Sequence, residues 1–211
     1  MITLYTWTTP NGRKVSIALE ELGLDYEVKA VNIGKDEQFD PEFLKVGPNN
    51  KIPAIVDGDA PGGGLPIFES GAILVYLAEK TGKLLPASGP ERYKVLEWTF
   101  WQMGGLGPML GQLGYFAVRS KDKPPEAVER FTTEAARLFG VMDRQLRANP
   151  YLAGADYSIA DIACYPWVFA ASTLLRQVAP DAWGDFPGIE RWLAAVGERP
   201  AVKRGMAVPQ V

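Results

Sequence analysis

The chain of 211 residues contains no histidine and one cysteine, Cys164. Without histidine, Ser-His and Cys-His nucleophile pairs and HExxH zinc sites are excluded, and no metal site is expected. A lone cysteine excludes an internal disulfide and any C-x-x-C redox pair, and points to a reducing cytosol. No apolar run approaches the length that crosses a bilayer, and "MITLYTWTTP" lacks the basic-then-apolar layout of a secretory signal. A cytoplasmic protein with no membrane partner is therefore expected. The net charge of −3 gives no electrostatic reason for nucleic acid as a partner. Chemistry is left to hydroxyls, amides, carboxylates, backbone dipoles, or a reactive group that a ligand brings in.

What is present reads as a globular chain, with 47% hydrophobic and 22% charged residues. Its length suits one large domain or two small ones sharing a core. "ITLY" and "YEVKAV" alternate as half-buried strands do. Between them Val15, Ala18, Leu19 and Leu22 fall at helical spacing. Thr9 is placed to cap that helix, Pro10 to open it and Gly23 to end it. "KIPAIVD" and "LPIFE" read as two more strands joined by the turn "DGDAPGGG", and "SGAILVYLAEKTG" as a helix closed by Gly82. Residues 1–83 thus read as βαβ, a variable stretch, then ββα.

Residues 84–90, "LLPASGP", shift to Pro, Gly and Ser and mark a linker. From 91 to 211 everything reads as helix. Val128, Phe131, Ala135, Leu138 and Met142 form one apolar face, and Ile189, Trp192, Leu193 and Val196 repeat the pattern. Ser158 stands three residues before Asp161, a variant of the capping box. The helix that follows is apolar nearly all round, which puts it at the centre of the helical domain with Cys164 as a small buried hydrophobe. "GGLGP" is expected to bend its helix because glycine and proline interrupt it. Trp98 and Trp101 read as packing residues.

Three stretches carry chemistry. In "TTPNGRK" a strand runs straight into a helix, leaving backbone N–H groups that attract an anion. Pro53 in "NNKIPAIVD" belongs at a sheet edge, a strand start or a cis turn, and at a strand start it frees the backbone of Ile52. In "FESGAILVYLAEKTG" Ser70 reads as an N-cap whose helix dipole favours a carboxylate, with Glu69 beside it to take an ammonium. Adjacent sites for a carboxylate and an ammonium match the two ends of an α-amino acid.

"IPAIVD" followed by "FESGAILVYLAEK" resembles the glutathione-binding half of the cytosolic glutathione transferases, and "SIADIA" resembles their N-capping box and hydrophobic staple. The likeness spans essentially the whole chain. With "TPNGRKV", "PEFLKVGPNNKIPAIVD", "FWQMGGLGPMLGQ" and "YSIADIACYPWV", it is most similar to the nu class, associated with glutathione-dependent disulfide reduction. The resemblance implies a fold that is α/β plus all-α, with a thioredoxin-like N-terminal domain, an all-helical C-terminal domain and a homodimer. It implies a cis Pro53 that presents the Ile52 backbone to the cysteinyl part of glutathione. Glu69 and Ser70 would hold the γ-glutamyl end, with Gln38, Asn50 and Lys51 lining the remainder. Arg130 aligns with an arginine that reaches a glutathione carboxylate in this class, although a charge on a long helix is more often simply solvated.

On that resemblance the anion at "TTPNGRK" is the glutathione thiolate, met by Thr9 and Asn11 where many transferases place Tyr, Ser or Cys. A free thiol with pKa near 8.5 is only a few per cent ionised at pH 7. Lowering that value by about 2 units takes roughly 2.7 kcal/mol of thiolate stabilisation, within reach of a helix N-terminus and one or two donors. The expected activity is glutathione-dependent reduction of small disulfides to yield oxidised glutathione, with organic hydroperoxide reduction as a companion. The alternatives are conjugation of glutathione to small electrophiles, and a non-catalytic glutathione-binding regulatory protein on the same fold. Tyr115 and Phe116 are candidates to line the second-substrate space.

Overall fold

The computed structural model describes residues 1–178 and 183–211. These fall into two compact units, one of Met1–Ala87 with Glu198–Val211, the other of Ser88–Gly197.

The first unit opens with β1 (Ile2–Thr6), whose side chains alternate between buried and half-buried. Helix α1 (Pro10–Leu22) follows, with Thr9 as N-cap, Pro10 at its head and Gly23 closing it at φ 67°. Val15, Ala18, Leu19 and Leu22 are all buried. Then come β2 (Tyr26–Ala30), the short α2 (Pro41–Leu44), β3 (Ala54–Asp57), β4 (Leu65–Phe68) and α3 (Ser70–Thr81). The four strands form one sheet in the order β2-β1-β3-β4. Strands β1 and β2 run parallel; β3 is antiparallel to β1, and β4 to β3. This is the thioredoxin-like arrangement. One reading of the sequence is corrected: β2 is an edge strand with Glu27–Ala30 exposed, so its alternation does not mark a half-buried strand. Pro66 also sits on an edge strand, the place in a sheet that tolerates a residue without an N–H.

A buried carboxylate ties the end of β3 to α3. Asp57 is fully buried; it accepts from Tyr76 Oη at 2.6 Å and the Asp59 N–H at 3.0 Å, and pairs with Lys80 Nζ at 2.7 Å. Burial opposes its charge, but Lys80, Tyr76 and the Asp59 N–H together hold the carboxyl below its ordinary value of 3.8. Burial and the Asp57 charge push Tyr76 up to about 12. A depressed folded-state value stabilises the protein above pH 3.8, and that stability is lost as pH falls through the folded value. In acid melts from about pH 5 to 2, Asp57→Asn should therefore flatten the fall in Tm relative to wild type. Parallel curves would remove Asp57 from the acid response.

The second unit is all helical: α4 (Pro90–Trp101), α5 (Gly107–Gly114), α6 (Pro125–Ala148), α7 (Ile159–Val178) and α8 (Pro187–Gly197). Between α4 and α5 the chain makes a π-helical turn over Gln102–Leu106, and a second over Tyr115–Arg119 follows α5. The stretch "GGLGP" falls at the first of these turns: Gly107 keeps helical angles, and the helical run widens there without ending. Trp98 and Trp101 meet edge to face at 5.0 Å but stay half-buried. Helix α7 is buried nearly all round from Ile159 to Val168, as its composition requires. Ser158 Oγ accepts from the Ala160 N–H, and Asp161 accepts from the Ser158 and Leu152 N–H groups and from Trp192 Nε1 at 2.8 Å. That cap is the predicted one. Burial pushes the Asp161 carboxyl up, against the pull of these donors.

The last helix, α9 (Pro200–Met206), packs on α1 within the first unit. The approach is close: a Cβ on Gly205 would lie 2.5 Å from Ile17 Cα. Ser16 Oγ donates to the Gly205 carbonyl at 2.7 Å, and Arg199 grips Glu21 with two bonds of 2.6 and 2.8 Å.

Candidate functional site

Sheet register brings three of the predicted stretches together. Tyr5 pairs with Ala54, and Ala54 with Phe68. The exit of β1, the entry of β3 and the exit of β4 therefore lie side by side, one strand spacing of about 4.8 Å apart. The turn bearing Thr9 and Asn11 leaves the first, Ile52–Pro53 enters the second, and Glu69–Ser70 leaves the third.

At the first position, Thr9 is extended (φ −122°, ψ 158°), and its Oγ1 accepts from the Gly12 N–H at 3.1 Å. A hydroxyl that accepts still has a proton to donate, so capping does not remove Thr9 from service. The turn is tight enough to demand glycine: a Cβ on Gly12 would lie 2.4 Å from both Thr6 Oγ1 and the Trp7 carbonyl. Asn11 is half-buried in the first turn of α1. At the second position the Ile52–Pro53 peptide is cis, one of the three options the sequence left open. Ile52 packs its side chain with Val31, Phe43 and Ala54. Asn50, at φ 47°, and the exposed Lys51 precede it directly.

The third position corrects a detail. Glu69, not Ser70, is the N-cap of α3, and Ser70 is the first helical residue. Glu69 is exposed, makes no side-chain cap bond, and holds φ 70° and ψ 112°, a region where a non-glycine residue is strained. Ser70 is buried, and Lys14 Nζ reaches its Oγ at 3.4 Å. Sequence reasoning missed Lys14. The available signal was position, because Lys14 falls four residues before Ala18 on the stripe that α1 buries.

Two predicted residues stand elsewhere. Gln38 lies in the connection between β2 and α2; its Nε2 donates to Asp36 Oδ1 at 3.4 Å, while its solvent-shielded Oε1 has no hydrogen-bond partner. Arg130 belongs to the other unit, exposed on α6, where it lines a cleft of about 630 Å³. Met109, Phe131, Glu126, Glu129 and Glu134 share that cleft, so Arg130 stands among carboxylates. The Arg137 hydrogen bond, with Arg130 adding charge, holds the Glu134 carboxyl below its usual range. Phe116 stacks on Phe131 at 5.7 Å, and Tyr115 meets Phe116 edge-on. Cys164 is wholly buried on α7.

Residues 1–79 match the family model "Glutathione S-transferase, N-terminal domain", and residues 125–195 match "Glutathione S-transferase, C-terminal domain". The disulfide-bond oxidoreductase YfcG of Escherichia coli (strain K12) is 47% identical over 213 residues, spanning 100% of this chain and 97% of that protein. A glutathione transferase from Burkholderia graminis, solved with two glutathione molecules bound per subunit, matches with a TM-score of 0.92 and 45% identity. The match covers 99% of this chain and 88% of that one. One from Pseudomonas putida, solved with one glutathione disulfide per subunit, matches with a TM-score of 0.90 and 46% identity, covering 99% and 91%.

Proposed function

This chain belongs to the glutathione S-transferase family, and from that premise we propose that it is a glutathione-dependent disulfide oxidoreductase. One observation carries the reading. The chain has an anion-ready turn at the exit of β1, yet its single cysteine is buried in the other unit. The reactive sulfur therefore comes with the ligand. Thr9 and Asn11 donate to the thiolate of glutathione at the α1 N-terminus, and the Ile52 backbone holds its cysteinyl part. Glu69 and Ser70 take the ammonium and carboxylate of its γ-glutamyl end. The unpartnered Gln38 Oε1 is an acceptor suited to a ligand N–H.

The chemistry is two thiol–disulfide exchanges. The held thiolate attacks one sulfur of a small disulfide, forming a mixed disulfide and expelling the other sulfur as a thiolate. A second glutathione thiolate attacks the mixed disulfide, giving oxidised glutathione and the second product thiol. Each expelled thiolate takes up the proton released on ionising one glutathione. The two glutathiones in one related structure match the two thiols consumed over both exchanges, and the glutathione disulfide in another matches the product. The protein works as a homodimer of the nu class in the cytoplasm. The role of Arg130 on a glutathione carboxylate rests on the resemblance alone.

The deciding experiment compares purified protein on a mixed disulfide and on an aromatic halide, both with glutathione. Turnover of the disulfide with formation of oxidised glutathione is expected. Conjugation of the halide with no disulfide turnover would overturn the reading. A second expectation follows from the ligand-borne sulfur: Cys164→Ala should retain most of the disulfide reductase activity, with a modest drop in Tm from the small cavity. A folded but inactive variant would point to a protein thiol instead.

A further inference from the structure

We infer that this chain prefers disulfides whose expelled thiol is both acidic and flat, an aryl thiol above all, and that Trp7 selects it. The inference rests on the glutathione reading of the site. Two independent observations converge on it. The first is position. Trp7 follows β1 directly, and its carbonyl accepts the Thr9 N–H at 2.7 Å, so it belongs to the turn that meets the thiolate. Two residues of chain keep its Cα within about 7 Å of that of Thr9. Its side chain packs on the cluster of Val31, Phe43, Ile52 and Ala54, and Ile52 is the residue whose backbone takes the cysteinyl part. The indole thus joins the first two positions of the site. It is only half-buried, so part of it rests on that cluster and part is left for whatever stands beside the bound sulfur. An indole gains most from another ring, in offset-stacked or edge-to-face contact.

The second observation concerns protons. The chain has no histidine, the side chain that ordinarily changes charge near neutral pH. Its one cysteine is wholly buried in the other unit. The amino terminus, which also titrates in that range, pairs with Asp59 and precedes β1, at the opposite end of the strand from Thr9. A sulfur expelled at this site therefore leaves without a protein acid, and its departure depends on the acidity of its own thiol. Aryl thiols are more acidic than alkyl thiols because the ring delocalises the charge on sulfur. In the step itself the held thiolate attacks the glutathione sulfur of a glutathione–aryl mixed disulfide. The new S–S bond makes oxidised glutathione, the old one breaks, and its electron pair leaves on the aryl sulfur. The proton lost on ionising glutathione stays in solvent.

The competing role for Trp7 is structural, a large side chain that seals the end of β1. Three probes separate the two: the glutathione mixed disulfides of benzenethiol, of 2,2,2-trifluoroethanethiol and of 2-hydroxyethanethiol. The first is flat and acidic, the second acidic but not flat, the third neither. With kcat/KM measured for each and the uncatalysed rate subtracted, the wild-type order should be phenyl, trifluoroethyl, hydroxyethyl. Trp7→Ala should lower the phenyl value by about tenfold and leave both alkyl values within about twofold. Trp7→Phe should keep most of the phenyl preference. The KM for glutathione should stay unchanged in both variants. An equal loss on all three probes would make Trp7 structural and overturn the inference. A wild-type enzyme that does not favour phenyl over trifluoroethyl, or that turns over trifluoroethyl no faster than hydroxyethyl, overturns it as well. Should Trp7→Ala fail to fold, Trp7→Leu keeps an apolar side chain without the ring and carries the same comparison with Trp7→Phe. The two levels fail differently. No turnover of any probe by the folded wild-type protein sinks the disulfide reductase reading itself, whereas turnover without the phenyl preference sinks only the inference.

Discussion

Glu69→Ala is expected to weaken glutathione binding by about ten- to a hundredfold, the effect of losing a charge-assisted hydrogen bond of roughly 1.5–3 kcal/mol. The backbone gives this expectation a second readout. Glu69 holds φ 70° without being glycine, a conformation that costs of order 1–3 kcal/mol. Nothing among the described residues requires glutamate there, since its side chain is exposed and makes no cap bond to α3. On the glutathione reading, that strain is retained because the exposed carboxylate holds the ammonium of the ligand. Glu69→Gly should therefore bind glutathione as poorly as Glu69→Ala, yet melt above wild type by the equivalent of about 1 kcal/mol as the strain is released. Calorimetric titration beside thermal melts reads both quantities. Unchanged affinity in either folded variant would take Glu69 out of the site. A fall in both affinity and Tm for Glu69→Gly would mean that the residue is structural.

How far the sequence disclosed this arrangement depended on the range over which each residue acts. Thr9, Pro10, Gly23 and Gly82 act within a turn, and each stands where local rules put it. The apolar stripe of α1 and the cap at Ser158 are likewise short-range patterns. Register is not local. That β1, β3 and β4 end together follows from pairs such as Tyr5 with Ala54, which no periodicity reveals. Exposure of β2 had the same cause, because alternation cannot tell an edge strand from an inner one. Lys14 was overlooked for a related reason. A lysine in a helix defaults to solvent, and only the packing of α1 on α3 puts it beside Ser70. The one-residue slip at Ser70 arose because the strained backbone at Glu69 starts the helix one position earlier than a serine cap would. The Gly205–Ile17 contact joins residues far apart in the chain, so residues 198–211 carried no sign of their place beside α1.

The largest rate effect is expected at the turn after β1. Thr9→Ala and Asn11→Ala should each slow disulfide reduction by about ten- to a hundredfold at saturating glutathione, as expected for losing one donor worth ~1–3 kcal/mol to the thiolate. The double variant should be slower than either, by about a hundred- to a thousandfold in all, because the helix N-terminus that remains still favours an anion. Affinity should change less, since the proposed site assigns it to Glu69 and Ser70. Thr9 needs one further control, because its Oγ1 already caps α1 through the Gly12 N–H at 3.1 Å. Loss of that cap alone lowers stability by ~1 kcal/mol and leaves the rate untouched. Thr9→Ser retains both the cap and the donor, so it should keep wild-type rate and Tm. Thr9→Ala should lose both. The pH dependence makes the distinction sharper. A donor that stabilises the thiolate lowers its pKa, so removing it should raise the apparent pKa of the rate by about one unit for each ~1.4 kcal/mol lost. A cap has no such signature. If the folded double variant reduces disulfides at the wild-type rate with an unshifted pH profile, backbone N–H groups alone hold the thiolate, and Thr9 is a helix cap and nothing more.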